Sequence, residues 1–469
     1  MAVQWGLPDS EISQLGDRFY NFCDRFRALM RTKTHDTSAY GIEYVSGLLR
    51  MTSHRNITEI SRQTGIASQT MQQFISDSPW AGAGLIDAVQ REVKVHPAFA
   101  EAVAVIDESA DAKAGEVSVG AGRQHNGRLG KLEQSQVGVF LALATPQVNL
   151  WVDGELFVPA AWFEPAQAER RRRVGWPEER TFHTKPELAW ALIQRARAKG
   201  LPFVAVAMDD LYGRNRALCQ RLDEAGIEYY GDIPANTVVY LDPPRFETKW
   251  TKRGKPAKKK RVVAQHRYQV RDLLDHPELT WTRLTVRPTE RGYLTADWAR
   301  CRVWLVEGER TYQRWLLIRR DPKQVTYSLS NAPVKTALET MAWRKSHRAF
   351  IERSNQDSKG DFGWDEFQAL KYRAWHHQLA LTILAAWFVA ETRLDWQTRF
   401  APAPALLAQY ETDVLPLLSV SNVRTLLRAA LPLPQLTPEK ATALVLEHLL
   451  NRTRSRLSRL RRKDPGPET

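Results

Sequence analysis

The sequence predicts an α/β fold: a mixed sheet flanked by helices, preceded by a helical domain and interrupted by a β-rich insertion. Three observations carry this. The apolar runs 103–106 and 203–208 have the length of buried strands and alternate with helical segments at 186–199 and 215–225. Residues up to about 95 show long polar–apolar periodicity with few strand signals. Residues 243–333 break into short segments rich in β-formers, arginine and tryptophan. At 469 residues the chain exceeds one compact core. The expected domains are 1–97, helical; 98–396, α/β and interrupted at 243–333; and 397–469, helical with a basic tail.

In the first segment, Ile57, Ile60, Ile66, Met71 and Phe74 flank Gly65. This is the spacing of a helix-turn-helix, with Gly65 at the turn and 68–74 as the second helix. Gln69, Gln72 and Gln73 then face outward and can hydrogen-bond bases or phosphates. The same spacing also suits two ordinary packed helices.

In the second segment, 103–106 is a strand that stops at Asp107, and 203–208 is a strand that stops at Asp209. A pair of strands within 117–143 and one at 226–233 complete the sheet, mixed because the early strands are hairpin-like. The insertion opens with a basic stretch, 250–261, and continues with short strands at 281–286, 302–306 and 315–319. Its tryptophans, Trp281, Trp298, Trp304 and Trp315, suit either stacking on bases or a small core. Residues 334–396 read as helical and carry Glu352; within them 379–389 is too short to cross a bilayer and reads as a buried core helix. The remainder is helical and leucine-rich and ends in the arginine-rich stretch 452–463.

The net charge of +14 and a pI near 9.7 favour a polyanionic partner, nucleic acid first and an acidic membrane surface second. Cys23, Cys219 and Cys301 are odd in number and far apart, with no CxxC pair. A disulfide framework or thiolate zinc site is therefore not expected, in keeping with a reducing cytoplasm. The N-terminus lacks the charged and apolar regions of a signal peptide, so a cytoplasmic location is expected.

The chemistry follows from three acids. On a helix, Arg348, Glu352, Asn355, Gln356 and Lys359 share one face. Asp107 and Asp209 at two strand ends, with helical Glu352, can form a three-carboxylate cage for two Mg2+ or Mn2+ ions about 4 Å apart. Hard oxygen ligands suit these metals rather than zinc. Arg348, one turn before Glu352, can orient it or a phosphate, and Lys359, two turns on, can hold the phosphate beside the scissile bond. Glu108 and Asp210 are the local competitors, expected on the opposite side and solvated or hydrogen-bonded. Lys131, Lys258, Lys259, Lys260 and Arg261 join the three glutamines as expected DNA contacts.

The order strand-Asp, strand-Asp, helix-Glu resembles the RNase H-like DDE transposases of bacterial insertion sequences. Asp209-Asp210-Leu211-Tyr212-Gly213 resembles the signature at the second acid, and Arg348, three residues, Glu352, six residues, Lys359 resembles that at the third. Lys345 stands where that signature carries a tyrosine. Segments 106–109, 127–131 leading into 136–140, 182–189 and 74–80 resemble the insertion-sequence-701 branch. The resemblance implies an RNase H-like sheet, metal-dependent cutting at transposon ends and strand transfer into target DNA. It also implies a homodimer in the synaptic complex, and relatives that form a DNA hairpin and hold a flipped base with aromatic residues; no tryptophan here is assigned that part. A domesticated, non-catalytic DNA-binding protein and an RNase H-like repair nuclease are the alternatives. A magnesium phosphatase explains neither the helix-turn-helix nor the charge.

Overall fold

The computed structural model describes residues 6–113, 115–126, 130–248, 250, 260–289, 292–322, 324–368, 370–400, 404–409, 418–433 and 437–463. The chain opens with helices α1 (Asp9–Ser13), α2 (Leu15–Asp24), α3 (Ser38–Arg50), α4 (Ile57–Thr64), α5 (Ser68–Ser76) and α6 (Gly82–Val95). The Asn56 side chain caps α4 by accepting the Glu59 N–H at 3.0 Å. Gly65 ends that helix at φ 71°, a left-handed conformation that glycine adopts without strain, and α5 follows as the second half of a helix-turn-helix. Ile57, Ile60, Met71 and Phe74 are buried, as their spacing predicts.

Strands β1 (Ala102–Ala112), β2 (Gly122–Asn126), β3 (Lys131–Ala144) and β4 (Asn149–Phe157) come next, then α7 (Ala168–Arg173) and α8 (Lys185–Ala198). The middle of the chain holds β5 (Phe203–Met208), α9 (Asp210–Gly213), α10 (Arg216–Glu224) and β6 (Tyr229–Ile233). The insertion supplies β7 (Val238–Tyr240), β8 (Arg245–Glu247), β9 (Arg261–Val263), β10 (Arg267–Gln269), β11 (Thr282–Thr289), β12 (Gly292–Glu307), β13 (Arg310–Arg320) and β14 (Val325–Ser330). Helices α11 (Leu338–Ser346), α12 (Phe350–Gly360), α13 (Tyr372–Arg399), α14 (Pro404–Gln409), α15 (Val420–Ala430) and α16 (Pro438–Lys463) end it.

Twelve strands form one mixed sheet in the order β10-β7-β12-β13-β14-β6-β5-β1-β3-β2, with β11 on β12 and β4 on β3. Only β1, β5 and β6 run parallel to one another; the other pairings are antiparallel. The insertion is therefore continuous with the central sheet: β14 pairs with β6, which would otherwise present an open edge.

Two sequence expectations change here. β1 does not stop at Asp107 but runs on to Ala112, because β3 keeps pairing with it as far as Ala112↔Ser135 after β5 has ended at Met208. β4 escaped notice because Asp153-Gly154-Glu155 interrupts its apolar pattern. Those charges are matched across the sheet face, Asp153 by Arg195 at 3.0 Å and Glu155 by Arg180 at 2.8 Å.

Helix α13 is buried along most of its length. Its Phe388 ring packs edge-on against Phe19 of α2, and its His377 stacks on Trp80 at 3.8 Å. The first helices and the sheet thus share one hydrophobic core. Among the described residues no helix is long and apolar enough to cross a membrane.

Candidate active site

Strand register sets the site. Ile106 of β1 pairs with Met208 of β5, and Met208 pairs with Gly231 of β6. The next residue on each strand is an aspartate: Asp107, Asp209 and Asp232. All three follow one register line across the parallel strands.

Asp209 ends β5 and caps α9, accepting the N–H groups of Leu211 and Tyr212 at 3.0 and 3.4 Å. Asp107 accepts the N–H of Glu108 at 2.8 Å. Both are half-buried. Burial pushes the Asp107 carboxyl up to about 7, with the charges of Asp209 and Glu108 adding and that of Arg348 opposing. Burial likewise pushes Asp209 up to about 6, Glu108 adding and Arg348 opposing.

The competing acids are engaged elsewhere. Glu108 accepts Lys185 Nζ at 2.9 Å and the Tyr212 hydroxyl at 2.8 Å. Asp210 is exposed, 3.9 Å from Arg214. Gly213 lets α9 lie directly on β6: a Cβ there would stand 2.2 Å from the Asp232 carbonyl oxygen.

The third acid arrives on a helical ridge formed by α11, the single turn His347–Ala349 and α12. Arg348 Nη1–H donates to Glu352 Oε1, the one-turn contact the spacing predicts. Burial opposes the Arg348 charge, but Asp107, Glu352, Asp232 and Asp209 outweigh it and raise its pKa. The Glu352 side chain is 65% exposed. Asn355 accepts the Trp151 indole N–H at 3.0 Å and Ser354 accepts Asn149 Nδ2 at 2.9 Å, which seats α12 on β4. Lys359 is not a free phosphate ligand in this conformation, since its ammonium lies 2.9 Å from Asp111 and 2.8 Å from the Ala110 carbonyl oxygen.

The structure thus sets Asp107 and Asp209 at the same level of adjacent strands, with Arg348, the partner of Glu352, close enough for its charge to oppose the rise in pKa of both. Among the described residues no three Asp, Glu, His or Cys side chains close into a metal cage. The donor set still fits a hard divalent cation. Two half-buried carboxylates whose pKa values are raised, Asp107 partly by the charge of Asp209, are the electrostatic complement of added positive charge.

The expected DNA contacts lie on the surface. Gln69, Gln72 and Gln73 are exposed on α5, Lys131 at the start of β3 and Arg261 on β9. Lys260 is exposed and 2.9 Å from Glu309. Lys258 and Lys259 lie outside the described residues. Of the insertion tryptophans, Trp298 and Trp315 are buried, while Trp281 and Trp304 are half-buried.

Sequence reasoning passed over Asp232 and Asp111. Asp111 is two strand alternations beyond Asp107, on the same face of β1, a signal visible only once the strand is known to continue. Asp232 lies in a segment read as a strand, but its register against Asp209 is not a local property.

The family model described as DDE superfamily endonuclease matches residues 25–293, more than half of the chain. The match contains Asp107 and Asp209 and ends before Glu352. A curated relative from Microchaete diplosiphon, described as a probable transposase for insertion sequence element IS701, is 23% identical over 342 residues, 70% of this chain and 75% of the relative.

Proposed function

The chain belongs to the DDE endonuclease superfamily, and from that premise we propose that it is a DNA transposase that cuts the ends of an insertion sequence and joins them to target DNA. One observation carries the reading: Asp107 and Asp209 follow Ile106 and Met208, which pair on adjacent parallel strands, and Arg348, which donates to Glu352, keeps a raised pKa despite burial because of their charges.

In this reading Asp107, Asp209 and Glu352 would hold two Mg2+ or Mn2+ ions, which would supply activation of water or a 3′-hydroxyl and stabilisation of the leaving oxygen. The protein's own contribution is placement. The α9 cap fixes the Asp209 carboxylate, the Glu108 amide fixes Asp107, and Arg348 orients Glu352. Arg348 also offsets the mutual repulsion of the acids before metal and DNA arrive. The exposed glutamines of α5 and the cations of 131 and 258–261 would hold DNA, with two copies of the chain pairing the two ends.

The test is incubation with DNA carrying the ends of the chain's own element, with and without Mg2+. Metal-dependent nicks and joined products are expected. Binding without nicking would leave a DNA-binding protein, and nicking without joining a nuclease.

A further inference from the structure

Glu352 lies on α12, yet its side chain is exposed and, among the described residues, pairs with its own helical neighbour Arg348. Asn355 and Ser354 seat the middle of α12 on β4, which leaves the two ends of the ridge to be fixed. We propose that Asp232 and Asp111 are positioning residues for DNA cleavage, clamping the two ends of the Glu352 ridge to the sheet through Lys345 and Lys359.

The clamp is built from four charges, two on the ridge and two on the sheet. Lys345, 6% exposed, lies 3.2 Å from Asp232 at the end of β6, and Asp232 also accepts the Ser328 hydroxyl at 2.6 Å. Fourteen residues on, Lys359 lies 2.9 Å from Asp111 of β1, itself 6% exposed. Burial raises the Asp111 carboxyl, opposed by Lys359 and by a second cation, Lys113, which donates to the Phe367 carbonyl oxygen at 2.7 Å. Lys345 lies near the end of α11 and Lys359 near the end of α12, so the two ion pairs bracket the segment that carries Arg348 and Glu352. The clamped residues span about 21 Å of helix, crossing from β6 to β1, with β5 and Asp209 between.

Burial of ion pairs is costly, and an apolar seal would hold a helix as well. What an ionic pair adds is register: each lysine has one carboxylate to meet. A single anchor lets the ridge pivot; two anchors fix both its rotation and its position along the sheet edge, and so the place of the Glu352 carboxylate relative to Asp107 and Asp209. Lys345, at the position where the resembling signature has tyrosine, has its partner in Asp232 within the same chain.

The proposal rests on Asp107, Asp209 and Glu352 being the reacting set, and the experiment separates the two. Asp232→Asn and Asp111→Asn keep the shape and remove the charge. Each is measured for cleavage of element-end DNA against Mn2+ concentration, for Mn2+ affinity by the loss of the free-ion paramagnetic resonance signal, for DNA affinity and for Tm. Residues that orient metal ligands typically change metal affinity or activity by about 10–100-fold. Both Asn variants should need about tenfold more Mn2+ and bind it correspondingly less tightly, with DNA affinity unchanged and partial recovery in Asp232→Glu. If the Asn variants lose Tm, the double variant Asp232→Asn/Lys345→Met removes the unpaired buried charge and should regain Tm without regaining cleavage. Normal Mn2+ dependence in either folded Asn variant, or full cleavage in the double variant, overturns the clamp. A wild-type protein that neither nicks nor binds Mn2+ overturns the reading of the site, and the clamp with it.

Discussion

At Asp107 and Asp209, burial and like charge act in the same direction: each carboxyl is pushed up, to about 7 and about 6, and the charge of Arg348 is insufficient to cancel the effect. Such an arrangement is poor for stability and suited to binding a cation. Asp107→Asn, Asp209→Asn and Glu352→Gln should each keep DNA binding and lose cleavage. Metal ions supply several kcal/mol of transition-state stabilisation, so the loss should be about 1,000-fold or more in single-turnover cleavage. Asp210→Asn, at an exposed position, should cleave nearly normally. If instead Asp210→Asn is dead and Asp209→Asn active, the second acid has been misassigned. Gly213→Ala is a structural counterpart: its Cβ would meet the backbone of Asp232 and Gly231, so Tm should fall by several degrees and cleavage with it. Normal melting of that variant would show that α9 can lift from β6. The Glu352–Arg348 pair was legible from spacing alone, because four residues is one helical turn in any context. The engagement of Lys359 with Asp111 was not, since nothing near either residue in sequence indicates the other.

Among the elements, α13 carries the clearest pH-sensitive contact. His377 is buried 3.8 Å over Trp80, with its ring nitrogens 2.9 and 3.3 Å from the Ile75 and Trp80 carbonyl oxygens. A neutral imidazole can donate to only one of these. Burial nevertheless pushes its pKa down to about 4, below the unfolded value of about 6.5. The sign follows: the folded state prefers neutral His377, so this stability is complete above about pH 6.5 and is lost as pH falls towards 4. Burial pushes His376 the same way, to about 4. Stability should therefore drop across that window by up to about 1.4 kcal/mol per pH unit for each such histidine, and Tm should fall with it. His377→Gln should flatten part of the drop; an unchanged Tm–pH profile in that variant would remove His377 as a cause. For α4 and α5, the helix-turn-helix was legible because Gly65 and the apolar spacing are local. Replacing Gln69, Gln72 and Gln73 together by alanine should weaken binding to element-end DNA by about tenfold or more, at about 1–3 kcal/mol per good base contact, and leave Tm unchanged, since all three are exposed. Equal affinity would move the DNA contact off α5.

Over the whole molecule, the charge of +14 suits a polyanionic partner. Affinity for DNA should fall linearly in log–log terms with salt, by about 0.9 per phosphate contacted. Neutralising Lys258, Lys259, Lys260 and Arg261 should reduce that slope by about 2–4; an unchanged slope would place the phosphate contacts elsewhere. Lys260 contributes less to this if its ion pair with Glu309 survives binding.

The sequence by itself determined most of the elements and their order, the two helices either side of Gly65, and the one-turn pairing of Arg348 with Glu352. Apolar period, caps and one-turn spacings are properties of short stretches, and they survive whatever the rest of the chain does. Only the tertiary structure decided that β1 runs past Asp107, that the insertion extends the central sheet, and that Asp232 and Asp111 meet Lys345 and Lys359 at either end of the Glu352 ridge. Those facts depend on strand register and on the line a helix takes across a sheet. Both are set by pairing between residues that are not neighbours in sequence, from Ala112 with Ser135 on adjacent strands to Asp111 with Lys359 far along the chain.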